Sequence, residues 1–238
     1  MVKNLFWTGG LDSTYRLLQL IKDDNVDEIN LFHISLNIDN KDNYMFVVGR
    51  ISQQKEIETM SKILQNIDTS KIKKFTIWTN KSSIVDYTFL LPFDFVFFIQ
   101  KDFIEYSDTT KISQFDLWFN GIVSRPINQY GAISQVLEDL NITADICIEK
   151  GGGIWSNTNK YFREMKDENP VFDYFHGSIL FKRFNLPLYD TDRYDMIKVA
   201  KENNWMDILY NTWSCWYPED GLPCNKCQMC EGRIGLFD

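Results

Sequence analysis

Apolar and polar positions along the chain follow a pattern of short strands and amphipathic helices. Leu5, Phe6 and Trp7 form a brief apolar run. After a glycine pair, Leu11, Tyr15, Leu18 and Ile21 return at near-helical spacing, with Asp12 in the first turn and Lys22 at the end. This predicts strand, loop, helix. Residues 29–38 (INLFHISLNI) read as a second strand and 74–78 (KFTIW) as a third. Between them, 47–67 reads as a long helix with Val47, Ile51, Ile57, Met60, Ile63 and Leu64 on its apolar side. Strands alternating with helices predict a parallel sheet joined by right-handed crossovers. Further on, 128–140 reads as a helix and 144–149 as a buried strand running into Gly151-Gly152-Gly153. A loop at the carboxyl end of a parallel strand is where open α/β sheets place ligands, and a flexible turn explains the glycines equally well. Residues 176–188 and 193–203 read as helices, the second capped by Asp192 with Asp195 three positions on.

Between 87 and 119 aromatic residues crowd together, including Phe93, Phe95, Phe97 and Phe98. A core layer or dimer face is expected there, with a stacking pocket for a heterocycle as the alternative. At 238 residues the chain can hold one main domain and a small appendage, divided as 1–188 and 189–238, with no internal repeat or low-complexity linker. A net charge of −8 and a pI near 4.9 argue against a partner held mainly through phosphate contacts, so no stable nucleic-acid partner is expected. The greasiest stretch, 84–99, is broken by Asp86, Pro92 and Asp94, so no transmembrane span is expected. Gly9, Gly10 and Asp12 interrupt the first apolar residues, so no signal peptide is expected either. Of five cysteines, four cluster near the C-terminus, which suits a reducing cytoplasm and a metal site better than a disulfide framework.

Residues 7–14, Trp-Thr-Gly-Gly-Leu-Asp-Ser-Thr, have the layout of a phosphate cradle. A strand delivers the chain to the sheet edge, glycines allow a tight turn with exposed N–H groups, and the helix presents its positive end to an anion. No Gly-Lys-Ser/Thr follows, so this is not a Walker loop, and the third glycine of the dinucleotide fingerprint is missing. Thr8-Gly9-Gly10-Leu11-Asp12-Ser13 resembles the SGGxDS loop of the PP-loop ATP pyrophosphatases, with Thr8 keeping the hydroxyl of the usual serine. The resemblance implies an α/β fold with a parallel five-stranded, Rossmann-like sheet of the adenine nucleotide alpha hydrolase-like type and helices on both faces. It also implies an ATP site formed by Thr8, Gly9, Gly10, Leu11, Asp12, Ser13 and Thr14, which holds the leaving pyrophosphate while a substrate oxygen attacks the α-phosphorus.

A second motif, Cys215-x8-Cys224-x2-Cys227-x2-Cys230, places four thiolates in sixteen residues, enough to close a tetrahedral site in a small C-terminal lobe. Zinc is expected there. An iron–sulfur cluster is the competing reading, because Cys-x2-Cys-x2-Cys also begins a ferredoxin-type run; here the fourth ligand lies upstream and no Cys-Pro follows. Cys147, between Ile146 and Ile148, reads as a small buried hydrophobe. The loop and the tail together, the tail reading Thr212-Trp213-Ser214-Cys215, then Cys224-Asn225-Lys226-Cys227-Gln228-Met229-Cys230 and Arg233, resemble the 7-cyano-7-deazaguanine synthases of queuosine precursor biosynthesis. Pro187-Leu188-Tyr189-Asp190-Thr191-Asp192-Arg193 is similar to that family's Pro-Leu segment, with Arg193 standing where the family has lysine. The likeness is good over residues 1–22 and 187–238 and poor between them. There, Ser124-Arg125-Pro126-Ile127-Asn128-Gln129-Tyr130 stands where the family carries Pro-x-Arg-Asn.

The resemblance implies a cytoplasmic, homodimeric ATP-dependent ligase. It would adenylate the carboxylate of 7-carboxy-7-deazaguanine, let ammonia displace AMP to give the amide, and dehydrate that amide to the nitrile in a second adenylation. The implied catalytic residues are Asp12, Ser13 and Arg193. The backbone of Gly9 and Gly10 with the hydroxyls of Thr8 and Ser13 would take the pyrophosphate, Asp12 would hold magnesium or orient the loop, and Arg193 would neutralise the leaving group. Arg125, Asn128 and Gln129 would contact the deazapurine or its carboxylate, and Cys215, Cys224, Cys227 and Cys230 would hold zinc. Only two histidines are present, His33 in a strand and His176 before a helix, so histidine acid–base catalysis is not expected. Two alternatives stand beside this reading. One is a divergent paralogue joining the activated deazaguanine to another amine, such as a protein N-terminus. The other is a nucleotide-binding module with a zinc-stabilised tail, against which Asp12 and Ser13 count.

Overall fold

The computed structural model describes residues 1–35, 53–79, 91–101, 129–150, 183–215 and 217–237. The opening strand, loop and helix form as β1 (Val2–Phe6) and α1 (Leu11–Lys22). They are followed by β2 (Glu28–Ser35), α2 (Gln53–Gln65), β3 (Ile72–Thr79) and β4 (Val96–Gln100). Next come α3 (Gln129–Leu140), β5 (Ala144–Asp145) and β6 (Phe184–Asn185). The chain then forms α4 (Arg193–Glu202), α5 (Met206–Tyr210) and the short α6 (Gln228–Glu231). The strands make one parallel sheet in the order β4-β3-β2-β1-β5-β6. Strand β1 pairs with β2 in the register Val2 to Glu28 through Phe6 to Phe32, and on its other side Leu5 pairs with Asp145.

This order positions everything that follows. The chain works outward from β1 to β4 and then crosses back to β5, so the sheet reverses direction between β1 and β5. Open α/β sheets bind ligands outside the carboxyl ends of the strands at such a switch point. Residues 7–10 leave β1 there, and residues 146–150 leave β5 beside them.

The α/β class and the parallel sheet are as the sequence indicates, but among the described residues the sheet has six strands rather than five. Within 176–188, expected to be helical, residues 183–188 instead carry β6. The Ala144 N–H donates to the Arg183 carbonyl and the Ile146 N–H to the Asn185 carbonyl, while the Phe184 side chain is buried beside α3. Two-residue strands are too short to show a period, which is why neighbouring apolar residues suggested a helix. For the same reason β5 is shorter than the expected 144–149. Beyond Asp145 the chain stays buried but leaves β1, and the Lys150 N–H reaches the Thr191 carbonyl at 3.0 Å. Strand β4 lies inside the aromatic segment, where an unbroken apolar run hides any alternation.

Each face of the sheet buries its own helices. Leu17 and Leu20 of α1 and Ile57, Met60, Ile63 and Leu64 of α2 pack on Leu5, Trp7, Leu31, Phe75 and Ile77. Ala132, Ile133, Val136 and Leu137 of α3 cover Phe6, Phe32, Ile34 and Trp78 on the other face. The described aromatics of 87–119 join the first of these layers: Phe93, Phe95 and Phe98 pack against it, while Phe97 is exposed beneath the Lys74 ammonium. The remaining aromatics of that segment lie outside the described residues. Cys147 packs at the edge of the layer, and burial pushes its thiol pKa up.

Helix α1 is buried on a second side as well. Leu11, Tyr15 and Leu18 pack against Met196, Ile197 and Ala200 of α4, Leu209 of α5, and Leu188 and Leu236. Arg16 Nε bonds the buried Asp145 at 2.8 Å, tying α1 to β5. His33 lies in β2 as expected, with Nδ1 3.1 Å from the Trp7 carbonyl. Among the described residues no helix is long and apolar enough to cross a membrane.

Helix α4 starts where its sequence places it. The Asp192 carboxylate accepts from the Asp195 N–H at 2.9 Å, satisfying one of the amides that a helix start leaves unpaired. Asp192→Ala is expected to lower stability by about 1 kcal/mol, read as a lower urea midpoint at unchanged m.

Candidate phosphate loop and cysteine centre

The turn after β1 needs its glycines. Gly9 has φ of +69°, and a Cβ built on it would lie 3.0 Å from Met60 Cγ. At Gly10 a Cβ would meet Thr8 Oγ1 at 3.2 Å and the Trp213 carbonyl at 3.5 Å. Within the turn the two expected hydroxyls face each other. Thr8 Oγ1 and Ser13 Oγ are 3.2 Å apart, the Thr8 N–H donates to Ser13 Oγ, and Ser13 Oγ donates to the Gly10 carbonyl. Gly10 occupies the N-cap of α1 and supplies no side-chain cap, so the first amides of the helix remain suited to an anion. Two residues grouped with the loop point elsewhere. Thr14 is fully buried, its hydroxyl accepting from Trp7 Nε1 at 3.0 Å and its N–H donating to the Gly10 carbonyl, so it secures the start of the helix. The Leu11 side chain belongs to the core against α4.

Beside the turn, charged groups converge from distant parts of the chain. Asp12 Oδ1 is buried with no hydrogen-bond partner. Glu149, at the end of the buried run after β5, turns its carboxyl toward Asp12, and its Oε1 lies 2.5 Å from Arg193 Nη2. Arg193 also donates from Nη1 to the Gly232 carbonyl at 3.0 Å. Arg233 completes the group. Its Nη1 donates to Thr212 Oγ1 at 2.8 Å and Ser214 Oγ at 3.3 Å, its Nη2 donates to the Tyr210 carbonyl at 2.9 Å, and its guanidinium lies over the Phe237 ring.

Burial dominates the electrostatics here. It raises the pKa of Asp12 against the pull of Arg193, Glu149 and Arg233. It also pushes Glu149 up to about 8, helped by the Asp12 charge and opposed by Arg193. The two carboxyls therefore hold a proton between them close to neutral pH. Glu149 was not singled out in the sequence. Its signal is a carboxylate closing the apolar run Ile146-Cys147-Ile148, just ahead of the glycine triplet.

The four cysteines also come together. Cys215, Cys224, Cys227 and Cys230 are all buried and free of disulfides, with their sulfurs within 4.8 Å of one another. Cys224 and Cys230 are 3.9 Å apart at sulfur, and Cys227 and Cys230 are 3.5 Å apart. A tetrahedral ion with metal–sulfur bonds of about 2.3 Å sets its sulfurs roughly 3.8 Å apart, so the four residues could hold one metal ion. Asn225, with φ of 55°, makes the left-handed bend between Cys224 and Cys227, a conformation that asparagine tolerates well.

Residues 178–238, which include this centre and both arginines, match the family model described as queuosine biosynthesis protein QueC. The chain resembles the QueC family. The match spans the last quarter of the sequence, and the Thr8–Ser13 loop adds the PP-loop likeness at the other end. No curated protein and no solved structure matches the chain.

The QueC-like segment and the loop are physically joined. The Trp213 N–H donates to the Gly9 carbonyl at 3.0 Å, and Trp213 Nε1 donates to the Cys215 carbonyl at 2.9 Å. Lys55 of α2 lies over the Trp213 ring. Of the expected nucleobase contacts, Arg125 and Asn128 lie outside the described residues and Gln129 opens α3. The Gly151–Gly153 triplet also lies outside them.

The raised pKa of Glu149 sets the direction of a pH effect. Without nucleotide or divalent metal, the folded chain keeps this proton up to about pH 8, whereas the unfolded chain releases it near 4.5. The stability it contributes is therefore complete below the unfolded value and is lost as pH rises toward the folded one. Thermal unfolding of Glu149→Gln should show a shallower loss of Tm across that window than the parent chain; an unchanged slope would assign the effect elsewhere.

Proposed function

We propose that the chain is an ATP-dependent ligase of the QueC type that adenylates the carboxylate of 7-carboxy-7-deazaguanine with release of pyrophosphate. Ammonia then converts the adenylate to the amide, and a second adenylation dehydrates the amide to 7-cyano-7-deazaguanine (preQ0). One observation carries this reading: a glycine turn at a helix N-terminus, at the switch point of the sheet, leads into Asp12, whose carboxyl feels the charge of two arginines delivered by the QueC-like segment.

A carboxylate is a poor electrophile because its charge is delocalised, and adenylation gives it a good leaving group. The protein's part is positioning and charge stabilisation at phosphorus. The amides of the Gly9–Gly10 turn and of the first turn of α1 receive the pyrophosphate. Thr8 and Ser13, which bond each other in the free loop, turn their hydroxyls to its oxygens. Arg193 exchanges Glu149 for phosphate, and Arg233 adds a second positive charge near Asp12. Glu149, released from Arg193, keeps its proton beside Asp12 or gives it up as the local charge requires.

The donor sets fit the two metals the family implies. Asp12 and Glu149 offer a divalent cation a buried oxygen that lacks a protein partner and a second carboxyl facing it, and magnesium bound there would neutralise phosphate charge. Four buried thiols at tetrahedral spacing fit zinc, which would hold the lobe together. Sulfurs this close suit a single ion better than a cube of four irons, each carrying its own thiolate.

The purified chain with magnesium, ATP, 7-carboxy-7-deazaguanine and ammonia is expected to release AMP and pyrophosphate and to yield a product without the carboxylate, identified by mass spectrometry. Absence of AMP with this carboxylate would sink the reading, and a product joined to another amine would redirect it to a different acceptor. Asp12→Ala should reduce AMP formation by about 10²–10³-fold in a chain that still unfolds cooperatively. Elemental analysis should find one zinc per chain; iron in a coloured preparation would reverse the metal assignment.

A further inference from the structure

Two residues connect the cysteine centre to the glycine turn, and each lies within three positions of a thiol. Trp213, two residues before Cys215, donates its main-chain N–H to the Gly9 carbonyl, and its own carbonyl lies against the space that a side chain at Gly10 would fill. Its indole N–H is spent on the Cys215 carbonyl. Arg233, three residues after Cys230, has its N–H on the Cys230 carbonyl and its guanidinium on Thr212, Ser214 and the Tyr210 carbonyl, so it grips both neighbours of Trp213. Gly9 sits in the left-handed region, where one hydrogen bond to its carbonyl orients the peptide that also presents the Gly10 N–H.

We propose that Trp213 and Arg233 are positioning residues through which a metal bound by Cys215, Cys224, Cys227 and Cys230 sets the geometry of the Gly9–Gly10 turn and so its affinity for ATP. A metal held by the four thiols would fix Cys215 beside Cys230 and so lock residues 212–214 under Arg233 and the Trp213 N–H on Gly9. Without the metal the two segments keep the Arg233 contacts and the Cys224 N–H on Cys215 Sγ but lose the cross-link between their thiols, so the Trp213 amide is held on Gly9 less firmly. The coupling itself depends only on these contacts; its ATP readout rests on the nucleotide reading of the turn.

The test compares the full chain as purified with the same chain after zinc is removed by a chelator and then restored. Amide hydrogen exchange is followed at Trp213, with Leu5 and Leu31 in the central strands as controls for the fold, and ATP affinity is measured by calorimetry. Metal removal should lower protection at Trp213 and raise the Kd for ATP, each by about tenfold, with the strand amides unchanged and both effects reversed by zinc. Unchanged protection at Trp213, or an unchanged Kd, in a chelated chain with intact strands overturns the proposal. Failure of the metal-loaded chain to bind ATP removes the nucleotide reading, and exchange at Trp213 then decides the coupling alone. If chelation unfolds the sheet, zinc-loaded Thr212→Val decides, because it removes an acceptor through which Arg233 holds the segment and leaves both arginines in place. The proposal then expects KM for ATP to rise about tenfold with kcat within about twofold, and a native KM overturns it.

Discussion

The arrangement depends on a helix that must bury two sides at once. Leu17 and Leu20 of α1 face the sheet while Leu11, Tyr15 and Leu18 face the C-terminal lobe. Each of these side chains contributes about 1.5–3 kcal/mol when taken from water. A helix with only one apolar stripe would sit on the sheet and expose its N-terminus to solvent. Because α1 is covered on both sides, its N-terminus, the glycine turn and Asp12 lie in the seam between sheet and lobe. Groups from residues 149, 193, 213 and 233 can all reach that seam.

The seam carries more positive than negative charge. Two carboxyls and two guanidiniums share it, and a buried charge is costly unless it is paired. Arg193 is paired with Glu149, Arg233 is held by neutral oxygens, and the carboxyl pair is relieved by retaining a proton. A polyanion entering at the helix N-terminus finds positive charge already oriented, so little reorganisation is needed when negative charge develops. Glu149 thereby keeps Arg193 in place beside Asp12.

Legibility in the sequence followed the range of the interaction. The opening strand, turn and helix, the Asp192 cap and the four cysteines are local patterns, each decided within about one or two turns of chain, and each appears in the structure as read. Strand β6 escaped because a two-residue strand has no period, and β4 because an unbroken apolar run reads the same for strand and helix, while β5 was read as a strand but over 144–149 rather than its two residues. Thr14 was grouped with the ligands of the loop by its position; only the buried indole of Trp7 shows that its hydroxyl is already engaged. Glu149 carried no motif of its own, and Trp213 was read only as part of the cysteine tail, with no role for its amide. Their roles come from neighbours 137 and 204 positions away, Asp12 and Gly9 respectively.

By itself, then, the sequence determined the local chemistry: a turn whose left-handed position favours glycine, the hydroxyls and carboxylate at its rim, and a set of thiols spaced for one ion. Backbone dihedral limits and ligand spacing act over a few residues, so they are written in consecutive letters. The tertiary structure decided what these parts face. Crossing back from β4 to β5 makes β1 a switch point, and burying both sides of α1 brings the lobe onto it. Together these place Glu149, Arg193, Arg233 and Trp213 around a turn that none of them adjoins in the chain.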